Sequence, residues 1–261
     1  MAHTAQFIEN LAASGKYHFT TGEAASTLDT SVPAARAALR RLERRGHLAS
    51  PARGFHVIVP PEYRRLGCLP AEQFIPHLME LLHLEYYAGL LSAAQFHGAA
   101  HHRPQEFQVM LARHRRPLVC GSVRVAFIGR ARIGEVPIVT RNTPRGLVQI
   151  SSAEATAVDL AGYPERAGGL DGVATVLSEL SEGIDPNRLA TAANSAPIPW
   201  AQRLGYLLEL AVDSPDTEPL AEYVRQNAHE YVSLDPSATL KKAKKSARWR
   251  LHINAKVETE A

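Results

Sequence analysis

Lysine is missing from most of this sequence. The 261 residues include 23 arginines but only six lysines, which are Lys16 and, far along the chain, Lys241, Lys242, Lys244, Lys245 and Lys256. A P-loop, a Schiff-base site and an acidic-x-Lys nuclease site each need a lysine, so residues 17–240 are not expected to hold any of them. The motifs G-x-S-x-G, H-E-x-x-H and G-x-G-x-x-G are absent too. The sequence therefore supports none of the enzyme classes that these motifs mark.

Cysteines and long apolar runs are scarce as well. Cys68 and Cys120 are too few for a disulfide scaffold or a four-cysteine zinc site. No apolar run approaches the roughly 18 residues of a membrane span, and the first residues lack the form of a secretory signal. We therefore expect a cytoplasmic protein, and its 45% of hydrophobic residues can fill the core of one or two domains.

The small excess of positive charge, +3 in total, is unevenly distributed. Residues 1–65 carry nine basic and five acidic side chains, residues 66–200 carry eleven and twelve, and residues 201–261 carry nine of each. The excess lies in the first segment, which indicates a polyanionic partner for that part of the chain.

Residues 1–65 show the pattern of a winged helix-turn-helix domain. Periodic apolar residues predict a helix over 4–13, and the T-x-x-E sequence at Thr20 is a capping box that opens a second helix. A third helix is predicted from Val32 to Arg45, and a hairpin over 47–59 follows it as the wing. The buried stripe of the third helix is predicted to comprise Val32, Ala35, Leu39 and Leu42.

The third helix carries a row of arginines at successive four-residue steps. Recognition helices contact base edges with their N-terminal part, so Arg36 and Arg40 are the predicted base readers, and phosphate contacts fall to Arg44 and to Arg53 in the wing. An arginine-rich helix face can also be a solvated surface, so DNA binding is a hypothesis. The predicted DNA-binding residues are Thr21, Ser31, Arg36, Arg40, Arg41, Arg44 and Arg53.

Residues 66–261 are predicted to form a second, larger domain. We expect an α+β protein in which this domain holds a mainly antiparallel sheet flanked by helices. The predicted helices cover 72–82, 84–97, 153–160, 171–181, 186–194, 199–212 and 217–228, and the predicted strands cover 107–111, 123–127, 136–139, 147–150 and 249–253.

Three groups of side chains in the larger domain invite a chemical role. The histidines at 97, 101 and 102 do not follow a zinc-site spacing, and we predict neither a metal nor a cofactor. Glu154 and Asp159 point to different sides of a helix, so they are expected to act as helix-capping and packed residues and not as a catalytic pair. The lysine run either contacts nucleic acid or protects an edge strand. It comprises Lys241, Lys242, Lys244 and Lys245.

Several segments resemble AbiEi-type antitoxins, which belong to type IV toxin–antitoxin systems of bacteria. They occur in the family's order and cover nearly the whole chain. Each is a packing motif of low specificity, and together they are fairly specific. The segments are R-G-F-H-V (53–57), Y-Y-A-G-L-L-S-A-A-Q-F-H-G (86–98), I-S-S-A-E-A-T-A-V-D-L (150–160), R-L-G-Y-L-L-E-L (203–210) and L-D-P…R-W-R-L-H-I-N (234–254).

The resemblance implies a two-part regulator. Its winged helix would repress its own operon by binding inverted repeats in double-stranded DNA. Its C-terminal domain would counteract a nucleotidyltransferase-like toxin without forming a stable complex with it. The family offers no catalytic motif to carry over, so the resemblance implies a protein that is not an enzyme.

Two other functions remain open at the level of sequence. One is a winged-helix transcription factor whose C-terminal domain binds a small ligand or a partner protein. The other is a DNA-associated nuclease or nucleotidyl-modifying enzyme, which the lysine-free interior and the unpaired carboxylates disfavour.

Overall fold

The computed structural model of the chain describes residues 2–99 and 105–258. The chain divides into two compact units, each built from three separate segments. Unit 1 comprises Met1–Tyr86, Gln105–Gly129 and Thr140–Gln149, and unit 2 comprises Tyr87–Pro104, Arg130–Val139 and Ile150–Ala261. Within the described part of the chain, every helix is too short or too polar to span a bilayer.

Helices and strands alternate irregularly along the chain, as expected of an α+β protein. The helices are α1 (Ala2–Ala13), α2 (Thr21–Thr27), α3 (Val32–Arg44), α4 (Ala71–Leu82), α5 (Leu90–Phe96), α6 (Ala153–Gly162), α7 (Gly169–Leu180), α8 (Pro186–Ala193), α9 (Ile198–Ala211) and α10 (Glu218–Asn227). The strands are β1 (His18–Thr20), β2 (Leu48–Ala52), β3 (Phe55–Ile58), β4 (Tyr86–Ala88), β5 (Phe107–Leu111), β6 (Arg115–Cys120), β7 (Val123–Gly129), β8 (Ile138–Thr143), β9 (Gly146–Ser151), β10 (Val232–Ser233), β11 (Lys244–Ser246) and β12 (Leu251–Ile253).

Unit 1 begins with three helices and a three-stranded antiparallel sheet in the order β1-β3-β2. The sequence did not predict β1, whose three residues are too few for a periodic pattern. Its Phe19 is 1% exposed, and it packs with Phe7 of α1 and Leu39 of α3 into a small core. Apolar side chains of both helices therefore hold them on the sheet.

The predicted capping interactions are present at the start of α2 and α3. Thr20 accepts from the backbone N–H of Glu23, whose carboxylate accepts from the N–H of Thr20 in return, so the capping box is present. Ser31 caps α3 by accepting from the N–H of Ala34. The prediction that Val32 is buried was wrong: it is 40% exposed, because it occupies the first turn of α3, away from the sheet.

The rest of unit 1 packs α4 and the strands β5, β6 and β7 around a second core. β7 pairs with β5 in parallel and with β6 in antiparallel fashion. The mainly antiparallel sheet expected from the sequence is therefore replaced by a mixed one. Alternating apolar residues indicate a strand but carry no information about the direction of its neighbour.

Unit 2 surrounds the helix α6, in which every residue from Glu154 to Ala161 is buried. The helix predicted over 84–97 was wrong at its start, because Tyr86–Ala88 forms the strand β4 and Gly89 has extended backbone before α5 begins. Ala88 pairs in parallel with Ile150 of β9. A small sheet in the order β10-β12-β11 follows α10.

Candidate nucleic-acid interface

A groove of about 340 Å³ lies between α3 and the β2–β3 hairpin of unit 1. The exposed side chains of Arg36 and Arg40 on α3 and of Arg53 in the hairpin line it. Among the described residues, no acidic side chain is within ion-pair distance of these three guanidinium groups. Glu43 also lines the groove, so three guanidinium groups against one carboxylate give the groove a net positive charge.

The other predicted DNA contacts on α3 are also exposed. Arg41 and Arg44 lie in the last turn of the helix and outside the lining of the groove. Ser31 lies at the N-cap, where its hydroxyl is engaged with the backbone N–H of Ala34. The row of arginines predicted from four-residue spacing thus faces solvent along the length of α3.

Thr21 occupies a different position from the one its predicted role requires. Its side chain is 5% exposed, and its Oγ1 lies 2.9 Å from Nε2 of His56. Because the hydroxyl is buried against His56, it is unavailable as a surface donor to phosphate. Thr21 instead forms part of the floor of the groove, together with buried Leu39 and His56.

A chain of hydrogen bonds beneath the groove connects α2, α3 and the hairpin. The Ser50 hydroxyl donates to the Glu43 carboxylate, and the Ser50 oxygen lies 2.8 Å from Nδ1 of His56. Because the Ser50 proton is used, Nδ1 of His56 must carry the donated hydrogen, which leaves Nε2 to accept from the Thr21 hydroxyl. This assignment satisfies every member with His56 neutral.

The environment of His56 agrees with a neutral ring. Burial lowers the pKa of His56, and the nearby Glu43 carboxylate offsets part of that effect. The ring also stacks on Phe19 with 5.4 Å between centroids. No sequence pattern marks Glu43, Ser50 or His56, because the contacts that join them are set by how α3 packs on the hairpin. Their effect is to fix Arg36 and Arg40 relative to Arg53.

Unit 2 contains a buried ion pair at its centre. Arg130 is 1% exposed, and its Nε donates to Asp159 Oδ1 over 2.9 Å. Tyr87 donates its hydroxyl to the other carboxylate oxygen over 2.7 Å, and burial together with the Asp159 charge raises the pKa of Tyr87. The remaining guanidinium nitrogens bond to Ser195 and to the carbonyl of Ala131.

One stretch of the chain, which takes in parts of both units, matches a known family. The family model described as the AbiEi antitoxin C-terminal domain matches residues 87–210. This part of the chain is similar to that antitoxin domain, and we call it the AbiEi-type domain. The matched stretch begins at Tyr87 and includes Arg130 and Asp159, so the whole buried ion-pair cluster belongs to it.

Structural similarity to a known protein extends beyond the AbiEi-type domain. The crystal structure of the RV2827C protein from Mycobacterium tuberculosis is similar over 96% of this chain and 91% of that one, with a TM-score of 0.65 and 18% identity. At this identity the similarity concerns the fold alone. No curated protein matches the chain.

The candidates for metal and carboxylate chemistry have structural roles in the AbiEi-type domain. Asp159 is hydrogen-bonded and packed, as expected. The helix-capping role expected of Glu154 was wrong, because Ser152 caps α6 and the Oε1 atom of Glu154 instead lies 3.4 Å from the backbone nitrogen of Asp185. His97 contacts the carbonyl oxygen of Ser151 over 2.8 Å. His101 and His102 lie outside the described residues. Across 2–99 and 105–258, no three His, Cys, Asp or Glu side chains are grouped as metal ligands.

The lysine run follows the AbiEi-type domain in unit 2. Lys241 and Lys242 lie in a turn, and Lys244 and Lys245 lie in β11, at the edge of the small sheet. All four side chains are exposed. Their location is compatible with both functions considered from the sequence, namely nucleic-acid contact and protection of an edge strand.

Proposed function

We propose that the chain is a DNA-binding autorepressor that also acts as a type IV-like antitoxin. The observation that carries the antitoxin role is the AbiEi-type domain at residues 87–210. The DNA-binding role rests on the exposed arginines of α3 and the hairpin in unit 1. The proposed role is regulatory and has no catalytic step.

The first 65 residues act as a winged helix-turn-helix in this proposal. The order of α1, β1, α2, α3 and the β2–β3 hairpin suits a recognition helix followed by a wing. Arg36 and Arg40 read base edges in the major groove, while Arg41, Arg44 and Arg53 contact phosphates. Ser31 lies at the N-terminus of α3, where backbone N–H groups favour a phosphate. Thr21 supports the groove from below.

The DNA-binding role is tested by mobility shift on the region upstream of the gene for this chain, in competition with unrelated duplex. Arg36→Ala and Arg40→Ala should each weaken specific binding by about tenfold or more, because a bidentate base contact contributes about 1–3 kcal/mol. Arg65→Ala, which removes an exposed arginine outside the groove, is the control. If both groove variants kept the affinity and sequence preference of the native chain, the base-reading assignment would be wrong.

The target of the antitoxin activity, in this proposal, is a nucleotidyltransferase-like toxin that forms no stable complex with the chain. The experiment is coexpression of the full chain with the protein encoded by the adjacent reading frame, scored as growth. The native chain and the Arg36→Ala/Arg40→Ala variant, both under a foreign promoter, should restore growth equally. If growth were restored only when the groove arginines are present, the antitoxin function would not be separate from DNA binding. If the native chain did not restore growth, the proposed antitoxin function would be wrong.

A further inference from the structure

The lysines near the end of the sequence line a positively charged cavity in unit 2. Five of the six lysines fall within residues 241–256, and four of those five line one open cavity of about 590 Å³. None of the lining residues that the structure describes is acidic. The cavity thus gathers most of the lysine of the whole chain around a single volume of ligand size. The four lysines are Lys241, Lys242, Lys244 and Lys256.

Asn254, which lines the cavity, anchors the beginning of the loop that leads to Lys241. Asn254 donates to the carbonyl oxygens of Asp235 and Ala238 over 2.7 and 2.9 Å, and it accepts from the N–H of Asp235 over 3.0 Å. These three bonds tie the loop before β11 to the end of β12. The beginning of this loop therefore has a defined backbone position before any ligand arrives, which reduces the entropy lost on binding.

Strand alternation decides which lysine of β11 faces the cavity. Lys244 is paired with Ile253, and both line the cavity. Lys245 is paired with His252 and points to the opposite face, where its Nζ lies 5.1 Å from the centre of the Tyr231 ring. Two adjacent, exposed lysines thus differ in their access to the cavity.

Aromatic and apolar side chains line the cavity together with the lysines. Tyr206 and Leu210 come from α9, and Leu210 is 39% exposed although it is a large apolar residue. Ile253 and Val257 line it as well. A ligand that fills the cavity would contact both ammonium groups and apolar side chains.

We propose that this cavity binds a nucleoside polyphosphate, with the phosphate chain on the lysines and the base against Tyr206 and Leu210. Lysine binds phosphate as a point charge, and several lysines around one volume match a compact run of phosphates. A nucleic-acid strand would instead be expected to use a row of charges along a surface, whereas these four converge on one cavity. The Lys256–Glu258 ion pair is exposed on both sides and is weak enough for a phosphate to displace.

The test is calorimetric titration of the full chain with ATP, AMP, inorganic triphosphate and a short oligodeoxythymidylate. ATP should bind saturably, more tightly than AMP and more tightly than inorganic triphosphate, with affinity that falls as salt is raised. Lys244→Ala should weaken ATP binding by about fivefold to tenfold, and Lys241→Ala/Lys242→Ala should weaken it further. Lys245→Ala is the matched control and should leave it unchanged.

The site does not depend on the proposed DNA-binding function. The Arg36→Ala/Arg40→Ala variant should bind ATP as the native chain does, so failure of one proposal is distinguishable from failure of the other. Absence of saturable ATP binding at millimolar concentration would overturn the inference. So would equal losses for Lys244→Ala and Lys245→Ala, equal affinity for ATP and inorganic triphosphate, or binding of the oligonucleotide in place of ATP.

Discussion

The buried ion pair between Arg130 and Asp159 should behave as one energetic unit in the AbiEi-type domain. Both side chains are essentially inaccessible to solvent, at 1% and 0% exposure. Replacing Arg130 with methionine leaves a buried carboxylate without its counter-ion, which costs about 3–5 kcal/mol of the free energy of unfolding. Replacing Asp159 with leucine leaves the buried guanidinium group without its counter-ion and should lower the free energy of unfolding by a similar amount.

The double variant Arg130→Met/Asp159→Leu should be far more stable than the sum of the single losses indicates. Additive effects would total about 6–10 kcal/mol. With both charges removed, the remaining loss of stability comes from polar groups that no longer have a hydrogen-bond partner, and it totals about 2–4 kcal/mol. These groups are the acceptors of Ser195 and Ala131 and the hydroxyl donor of Tyr87. The expected coupling energy is therefore at least about 2 kcal/mol.

The assay is urea unfolding followed by far-ultraviolet circular dichroism and by the fluorescence of Trp200, whose ring centre lies 4.8 Å from the Arg130 guanidinium carbon. The control is Arg132→Met, which breaks an exposed pair with Glu135 and should cost less than about 1 kcal/mol. Additivity of the two single variants within about 0.5 kcal/mol would refute the description of Arg130 and Asp159 as a mutually dependent buried pair.

Three further outcomes follow from individual contacts. Burial, and next the neighbouring His77 ring, lower the pKa of His18 to about 4 from 6.5, so the unfolded chain binds this proton first as the pH falls. The free energy of unfolding, measured by urea titration at each pH, should therefore drop by about 1–3 kcal/mol between pH 6.5 and 4. A His18→Phe variant whose free energy of unfolding kept the same dependence on pH would contradict this. Gly205→Ala should lower the midpoint of thermal unfolding, because a Cβ there would overlap the buried Trp249 ring, whereas Gly183→Ala has open space and should not. In mobility shifts, the affinity for the operator should fall steeply as the salt concentration rises. Arg44→Ala should reduce the slope of log affinity against log salt concentration by about one, and an unchanged slope would show that Arg44 does not contact a phosphate.

Local signals in the sequence predicted much of the helical structure. The capping box at Thr20, the cap at Ser31 and the proline that begins α8 after Asp185 each mark a helix start that the structure contains. These signals succeed because a cap is satisfied within four residues, so neighbours in sequence contain all the information. The exposed arginines of α3 are predictable for the same reason, since helical spacing alone decides that they share a face.

Strands were harder to predict where their partners are distant. β1 is three residues long, and it is held by its pairing with β3 nearly forty residues away. Gly89 divides a stretch that reads as one helix into β4 and α5, because Ala88 finds a partner in Ile150. A strand is stabilised by hydrogen bonds to another part of the chain, so its own residues specify it only weakly.

The sequence by itself determined the charge of this protein: arginine along α3, a lysine-free interior and a lysine-rich end. Tertiary structure alone decided what these charges face. It buried Thr21 against His56, paired Arg130 with Asp159 across twenty-nine positions, and turned Lys244 toward a cavity that Lys245 does not reach. Charge is a property of each residue and can be counted, whereas burial and pairing depend on which distant segments pack together.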